Sequence, residues 1–539
     1  MKKLIVFTGI VLCFSQVFAG GLLTNGNQSA QYIRMLSRNA STDVDAVYFN
    51  PAGLMLIDNG FYISLQSQTL FQTKSVESGF PLLNNKTYDG KLTVPVFPTG
   101  FAIYKKDRFA LSLGFGPVNG GGSAEYDKGL PSFEKDISKL VPGLAGLSKL
   151  GKTVSGYSAD IAFKGESVYW GIQGGASVKV NKIFSVYAGL RYVPATNKYT
   201  GHINNISVNV NGTFKNAGTF LSGEVVPVLQ SSAASANTAA AGAQQLIDAG
   251  AGAYTLAQLQ LGGKITVAQR TQFEQGLIQI AGLTQAQIDQ MNITQVKSTF
   301  SSGATALTGQ ATALDATGKS LNDKTVDVKQ TGTGYTPILG LSIKPNDDWN
   351  IGFKYEFRTS LTLTNATTAD GTNKLFPNGK KTGSDIPSLL SIGTDYKLSK
   401  ALKVSVSYNS YNDKGVDWGN NIYDQPRTID HNTWELAIGA QYQLIKKLAL
   451  SAGYLRTEMG VSEQFQSDFS YFNSPANSYG GGIEWKPTPK FTVDAGMICT
   501  FYGDAKKAFT DTTVGSYSET YKKHNLGFAL GLSYHFGGI

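Results

Sequence analysis

Residues 526–536 read Leu526-Gly527-Phe528-Ala529-Leu530-Gly531-Leu532-Ser533-Tyr534-His535-Phe536. Every second side chain is large and apolar, and each one between is small or polar. Successive side chains on a strand project to opposite faces, so this segment makes one greasy face and one small or polar face. The same rhythm places Trp434, Leu436, Ile438, Tyr442 and Leu444 against Glu435, Gln441 and Gln443. It also places Trp349, Ile351, Phe353, Tyr355 and Phe357 against Asn350, Lys354, Glu356 and Arg358. Aromatic residues stand at the ends of these stripes, where girdles meet the two surfaces of a bilayer.

A soluble β-sandwich also alternates, but its strands average about five or six residues. The runs here reach about ten or more, the length a tilted strand needs to cross hydrocarbon. Strands are predicted near 61–72, 94–105, 108–125, 168–180, 183–200, 333–345, 348–364, 387–399, 401–412, 432–445, 448–466, 478–486, 490–503 and 523–536. Their links alternate in length. Lys106-Asp107, Asn181-Lys182, Pro345-Asn346-Asp347, Ser399-Lys400 and Pro487-Thr488-Pro489 are tight turns, and the other links are long and polar. Short periplasmic turns and long outer loops are the habit of outer-membrane barrels. The expectation is an all-β membrane protein: a 14-stranded antiparallel transmembrane β-barrel over 61–539, with both termini in the periplasm.

Composition agrees. Only 16% of residues are charged, there are 61 glycines, and 26 tyrosines nearly match 29 phenylalanines. Mean hydropathy is near zero, and no run of about eighteen apolar residues follows the leader, which favours a barrel over a helical bundle. The leader itself, 1–19, has Lys2 and Lys3, an apolar stretch from Leu4 to Phe14, and Val17-Phe18-Ala19 before the expected cut: a signal peptide. It sends the chain toward the bacterial outer membrane. The formal charge of +9 is mild and scattered, so nucleic acid is excluded as a partner. Cys499 is the one cysteine beyond the leader, so no internal disulfide forms.

Two insertions stand out. The longer, 201–332, reads as an extracellular loop with helical stretches, and Thr266 to Gln269 and Thr284 to Gln287 each fit a capping box. Leu277, Ile278 and Ile280 offer an apolar face for the barrel mouth; the alternative is low-complexity decoration. The shorter, 126–167, holds Gly146-Leu147-Ser148-Lys149-Leu150-Gly151-Lys152-Thr153, which matches the phosphate-loop pattern. That motif needs a strand leading in and a helix leading out. Pro142-Gly143 before it and Val154-Ser155-Gly156 after it give no helix signal, so nucleotide binding is excluded.

Residues 20–60 do not alternate. They run through Gly26-Asn27-Gln28-Ser29-Ala30 and Arg38-Asn39-Ala40-Ser41-Thr42-Asp43 to Asn50-Pro51-Ala52-Gly53-Leu54. A segment ahead of a wide barrel can fold back inside as a plug. The stretch ending in Asn50-Pro51-Ala52-Gly53 resembles the N-terminal hatch of the FadL-type long-chain fatty acid transporter family. The fourteen-strand spacing and the long helical loop between strands five and six are similar to that family as well. The resemblance implies passive uptake of a long-chain fatty acid or similar compound. Ligand would pass from an extracellular groove to an apolar pocket behind a hatch gated at Asn50, Pro51, Ala52 and Gly53. It would leave sideways where strand three is kinked. Here that strand carries Gly114, Gly116, Pro117 and Gly120. Proline cannot donate to a ladder, so Pro117 either opens a gap or ends the strand at its rim.

For a carboxylate, Arg191, Lys198, Lys354 and Arg358 are expected on inward faces, Lys198 and Arg358 being near positions where the family has basic residues. The alternative is that Glu356 simply neutralises its neighbours. Implied partners are outer-membrane lipid, the barrel assembly machinery and the hydrophobic ligand. No cofactor or catalytic set is expected, because His202, His431, His524 and His535 lack metal-ligand spacing and no serine sits in a nucleophile elbow. Two further functions stay open: uptake of aromatic hydrocarbons, and surface adhesion through 201–332. The chain runs on to Gly537-Gly538-Ile539 beyond the last aromatic residue, where barrels of this type usually stop.

Overall fold

The computed structural model describes Leu22 and residues 24–371, 376–418 and 427–537; the expected signal peptide lies outside the described residues. The chain forms two compact units, one of 1–139, 161–203 and 324–539 and one of 140–160 and 204–323.

The first unit is a closed, 14-stranded antiparallel barrel. Its strands are β1 (Gly60–Ser78), β2 (Thr87–Lys106), β3 (Phe109–Tyr126), β4 (Val154–Lys179), β5 (Phe184–Val210), β6 (Lys324–Ile343) and β7 (Trp349–Glu356). They continue with β8 (Leu389–Lys397), β9 (Leu402–Tyr411), β10 (Ile429–Ile445), β11 (Leu448–Val461), β12 (Ala476–Thr488), β13 (Phe491–Tyr502) and β14 (Gly515–His535). Closure comes from β1 against β14, in register from Tyr62–His535 to Ser78–Glu519. The alternation decides which way each residue faces. Phe528, Leu530, Leu532, Tyr534 and Phe536 are exposed on the outer wall, while Ala529 and Ser533 turn inward and are buried. An apolar outer face is stable only against lipid.

The strands run further than the alternation predicts. β2 begins at Thr87, β4 at Val154, and β5 continues to Val210. Past the lipid the outer face no longer has to be apolar, so the period-two signal fades while backbone pairing continues, as between Tyr126 and Phe163. The expected continuous strand at 348–364 is broken. β7 stops at Glu356 and the wall resumes at Thr362–Asp370, with a lone bridge between Thr359 and Ile386. Gly334 on β6 accommodates the break, because the Ser360 carbonyl presses where a side chain would stand.

The second unit is mainly helical, with α4 (Val226–Leu246), α5 (Val267–Ala281) and α6 (Ile293–Ser320) around a core that includes Leu277, Ile288, Val296 and Phe300. Since β5 reaches Val210 and β6 starts at Lys324, the insertion is shorter than the 201–332 expected. Thr266 caps α5 as predicted, accepting from Gln269 N at 3.2 Å while Gln269 Oε1 accepts from Thr266 N at 2.8 Å. Leu277 and Ile280 pack into this unit's own core and Ile278 is exposed, so the three do not form one free apolar face. The phosphate-loop lookalike is a 3-10 turn, Ala145–Leu150, then left-handed Gly151 and directly β4; no helix follows it.

Before the barrel, the hatch folds as α1 (Ala30–Met35), α2 (Ala46–Phe49) and a 3-10 turn, Pro51–Leu56. Ser29 caps α1 by accepting from Tyr32 N at 2.8 Å. Pro51 sits at the start of its turn, where a missing N–H costs nothing.

Candidate functional site

The hatch is irregular, so many of its carbonyls need partners from outside its own backbone. Inward-facing wall side chains supply them. Lys354 Nζ donates to Tyr48 O at 2.8 Å, Gln173 Nε2 to Val47 O at 2.7 Å, and Asn350 Nδ2 to Ala40 O at 2.8 Å. Ser177 and Ser185 donate to Pro51 O at 2.7 Å and Ala52 O at 2.8 Å. Asn50 closes the segment on itself, its Nδ2 donating to Ser41 O at 3.1 Å. Gly53 packs so tightly on Asn50 and the Ser41 carbonyl that no Cβ fits. Asn50, Pro51, Ala52 and Gly53 are thus a buried turn tied to the wall. On the wall, Gly453 faces the Met35 carbonyl at a distance that leaves no room for a side chain.

Charges reinforce this docking. Arg34, fully buried, meets Asp494 at 2.8 Å, Glu484 at 3.0 Å and Gln441 at 2.9 Å. Arg38 holds Asp45 at 2.7 Å and Asp43 at 2.6 Å within the hatch. Burial works against the charged form of the Asp43 carboxyl, but Arg38 outweighs it and holds that group well below the usual carboxylate range.

The four basic residues expected to greet a carboxylate are not together. Arg191 and Lys354 do face inward and are buried, but Glu356 takes both, at 2.6 Å to each, beside the Tyr48 ring. Lys198 points outward: it lies between buried Asn197 and Tyr199, and the two-residue period puts it on the opposite face. Arg358 is exposed, because the break after Glu356 ends the alternation before it; Asp385 lies 3.6 Å away. The inward placement of Lys198 and Arg358 is therefore corrected.

The wall is interrupted at length between β2 and β3. The β2–β3 ladder passes from Leu92–Ala124 to Gly100–Phe115, leaving residues 93–99 and 116–123 without pairing to each other. β3 does not end at Pro117. It stays on β4 through Pro117–Trp170 and Gly120–Val168, with bulges on either side, and reaches Tyr126. Gly120 and Gly121 adopt left-handed φ values of 66° and 114° that a side chain rarely tolerates. Unpaired backbone facing lipid is costly. Here the hatch supplies donors from within: Asn25 N reaches Val118 O at 2.8 Å, and Gln28 Nε2 reaches Pro117 O at 2.9 Å. Asn25 Nδ2 serves Pro117 O and Gly120 O as well. The break is stoppered from inside.

Two apolar sites complete the arrangement, and sequence periodicity finds neither because their residues sit largely in loops and strand ends. In one, Leu22 at the start of the hatch is fully buried among Val416, Trp418, Phe465 and Phe472. Buried Arg427 lies over the Phe465 ring, 5.3 Å from its centroid. In the other, Phe133, Phe163, Phe376 and Phe469 line a pocket with His202 and Lys324. The Phe163 and Phe469 rings are 4.7 Å apart.

The family model described as outer membrane protein transport protein (OMPP1/FadL/TodX) matches residues 169–536, and the chain belongs to this family. It is an outer-membrane β-barrel of a family that transports hydrophobic compounds, and the family's members are transport channels. Among solved structures, a Pseudomonas aeruginosa FadL homologue matches with a TM-score of 0.57 and 14% identity, over 96% of this chain and all of that one. A deltaS2S3 mutant of TodX, a monoaromatic hydrocarbon channel, matches with a TM-score of 0.50 and 12% identity, over 94% of this chain and 99% of that one. The P. putida toluene transporter TodX matches at 0.48 and 12%, over 93% and 95%. At such identities the likeness is one of fold. The sequence has no match among curated proteins.

Proposed function

We propose that this barrel takes up long-chain fatty acids by passive diffusion. Ligand gathers in the phenylalanine pocket near Lys324, enters the chamber now held by Leu22, and leaves sideways through the β2–β3 break once Asn25 and Gln28 withdraw. Asn50 to Gly53 keep the rest of the hatch seated during that exchange. No step requires chemistry on the ligand.

The observation that carries this reading is Arg427 over the Phe465 ring, beside the Leu22 chamber. An acyl chain gains about 25 cal/mol for each Å² of apolar surface removed from water. Its carboxylate would lose by burial unless a cation meets it, and a guanidinium does so with a charge-assisted bond. A hydrocarbon has no use for that group.

Arg427→Leu tests the reading by tritiated oleate and tritiated toluene binding to the purified protein. Oleate affinity is expected to fall about tenfold or more, one charge-assisted hydrogen bond's worth. Toluene binding is expected to stay unchanged. Equal oleate affinity in both proteins overturns the acid. The ring-lined pocket favours a second reading, uptake of aromatic hydrocarbons, which unchanged oleate binding with tight toluene binding would support.

A further inference from the structure

The helical unit contains a cavity of about 960 Å³ between α4 and α5. It exists because the two helices face each other with short side chains. They touch near Gly242, where an added Cβ would lie 3.8 Å from Phe273 Cζ. Part of the wall is hydroxyl and amide: Ser231, Ser235 and Thr238 at helical spacing on α4, and Gln272 and Gln279 on α5. The rest is apolar, with Leu229, Phe273, Ile280 and Phe300 among it, and Lys149 brings a charge to the rim.

We propose that this cavity is a binding site for a neutral oligosaccharide. Serine and threonine hydroxyls and glutamine amides both donate and accept, which matches sugar hydroxyls that do the same. Pyranose rings also carry apolar C–H faces suited to Phe273. The volume falls within the usual range of small-molecule sites, about 300–1,000 Å³. An extended peptide wants a free strand edge, and the helices around this cavity offer none. The unit is inserted in the chain between β5 and β6. This site is independent of the fatty-acid reading.

The test is an array of neutral and anionic bacterial oligosaccharides probed with the full-length protein in detergent. Two variants accompany it: Ser235→Phe, which fills the cavity, and Gln272→Ala, which removes one amide. The expected result is saturable binding to neutral members, abolished by Ser235→Phe and weakened about tenfold by Gln272→Ala, the effect of one to two lost hydrogen bonds. Both variants keep the wild-type circular dichroism spectrum and thermal transition in detergent, showing that they fold. Absence of binding to every neutral member, binding confined to anionic members, or binding indifferent to both variants would overturn the proposal.

Discussion

Asn25 lies against the inner side of β3 and donates through its Nδ2 to the carbonyl oxygen of Pro117, at 3.1 Å. The same amide nitrogen lies 2.8 Å from Gly120 O. A hatch side chain thus stands in for the strand that should have paired with β3. The break in the wall and the plug in the lumen form one device: weaken either contact and the opening is exposed.

Replacing Asn25 by leucine takes this donor from Gly120 O and leaves Pro117 O with Gln28 alone, at about 1–3 kcal/mol. The hatch tip is expected to withdraw more readily, so initial uptake of radiolabelled oleate by cells rises several-fold. Equal uptake at equal surface expression would show that the contact does not restrain opening.

Gly453→Val puts a side chain where the Met35 carbonyl now rests. Overpacking of this kind costs about 1–3 kcal/mol. The barrel is expected to fold, with the hatch displaced and open to trypsin at Arg34 and Arg38. Full protection of those two sites in the variant would contradict the docking described here.

Asp494→Ala takes one of its two carboxylates from the buried Arg34 and leaves Glu484 at 3.0 Å, a loss of about 1.5–3 kcal/mol for a hydrogen bond to a charged group. Faster hydrogen exchange of the α1 amides is expected. Adding Glu484→Ala strands the Arg34 charge and is expected to speed the exchange further. Exchange no faster in the double variant would mean that Arg34 holds the hatch by some other contact.

Asp413, in the turn after β9, accepts from Thr433 N at 3.0 Å, and its own carbonyl accepts from Trp418 Nε1 at 2.8 Å. Burial pushes its carboxyl up to about 6, against the opposing pull of the Thr433 bonds and His431. A raised value means that the folded loop prefers the protonated form. The contribution is complete below the ordinary value of 3.8 and is lost as pH rises through about 6. The Trp418 loop should therefore be better ordered at pH 4 than at pH 8. Trp418 fluorescence, taken as the difference from Trp418→Phe, should shift over that window in wild type and stay flat in Asp413→Asn. A shift that survives in Asp413→Asn would assign it to another group.

The wall was legible because lipid enforces a strict two-residue period: Leu526 to Phe536 could be assigned to faces by eye. Where lipid ends the rule ends, and so the outer reaches of β2, β4 and β5 were missed. Arg358 was misplaced for a related reason, since the β7 break after Glu356 leaves no local mark in sequence. Lys198 differs, because the two-residue period itself, with Lys198 between buried Asn197 and Tyr199, puts it on the far face. Of the site, the glycine-proline run of β3 was visible. The Asn25–Pro117 contact was not, nor the chamber of Leu22, Trp418 and Phe465, because long-range pairing of irregular segments leaves no periodic trace.

A covalent staple across the wall break tests the central claim most directly. A Cβ added at Gly116 would lie 3.4 Å from Thr99 Cβ, close to the spacing a disulfide spans. In a Cys499→Ser background, Thr99→Cys with Gly116→Cys should cross-link the two strands, the flexible Gln28 side chain giving way. Oleate uptake is then measured before and after reduction. The account predicts uptake abolished in the oxidised protein and restored by dithiothreitol. Undiminished uptake through the stapled wall would contradict it.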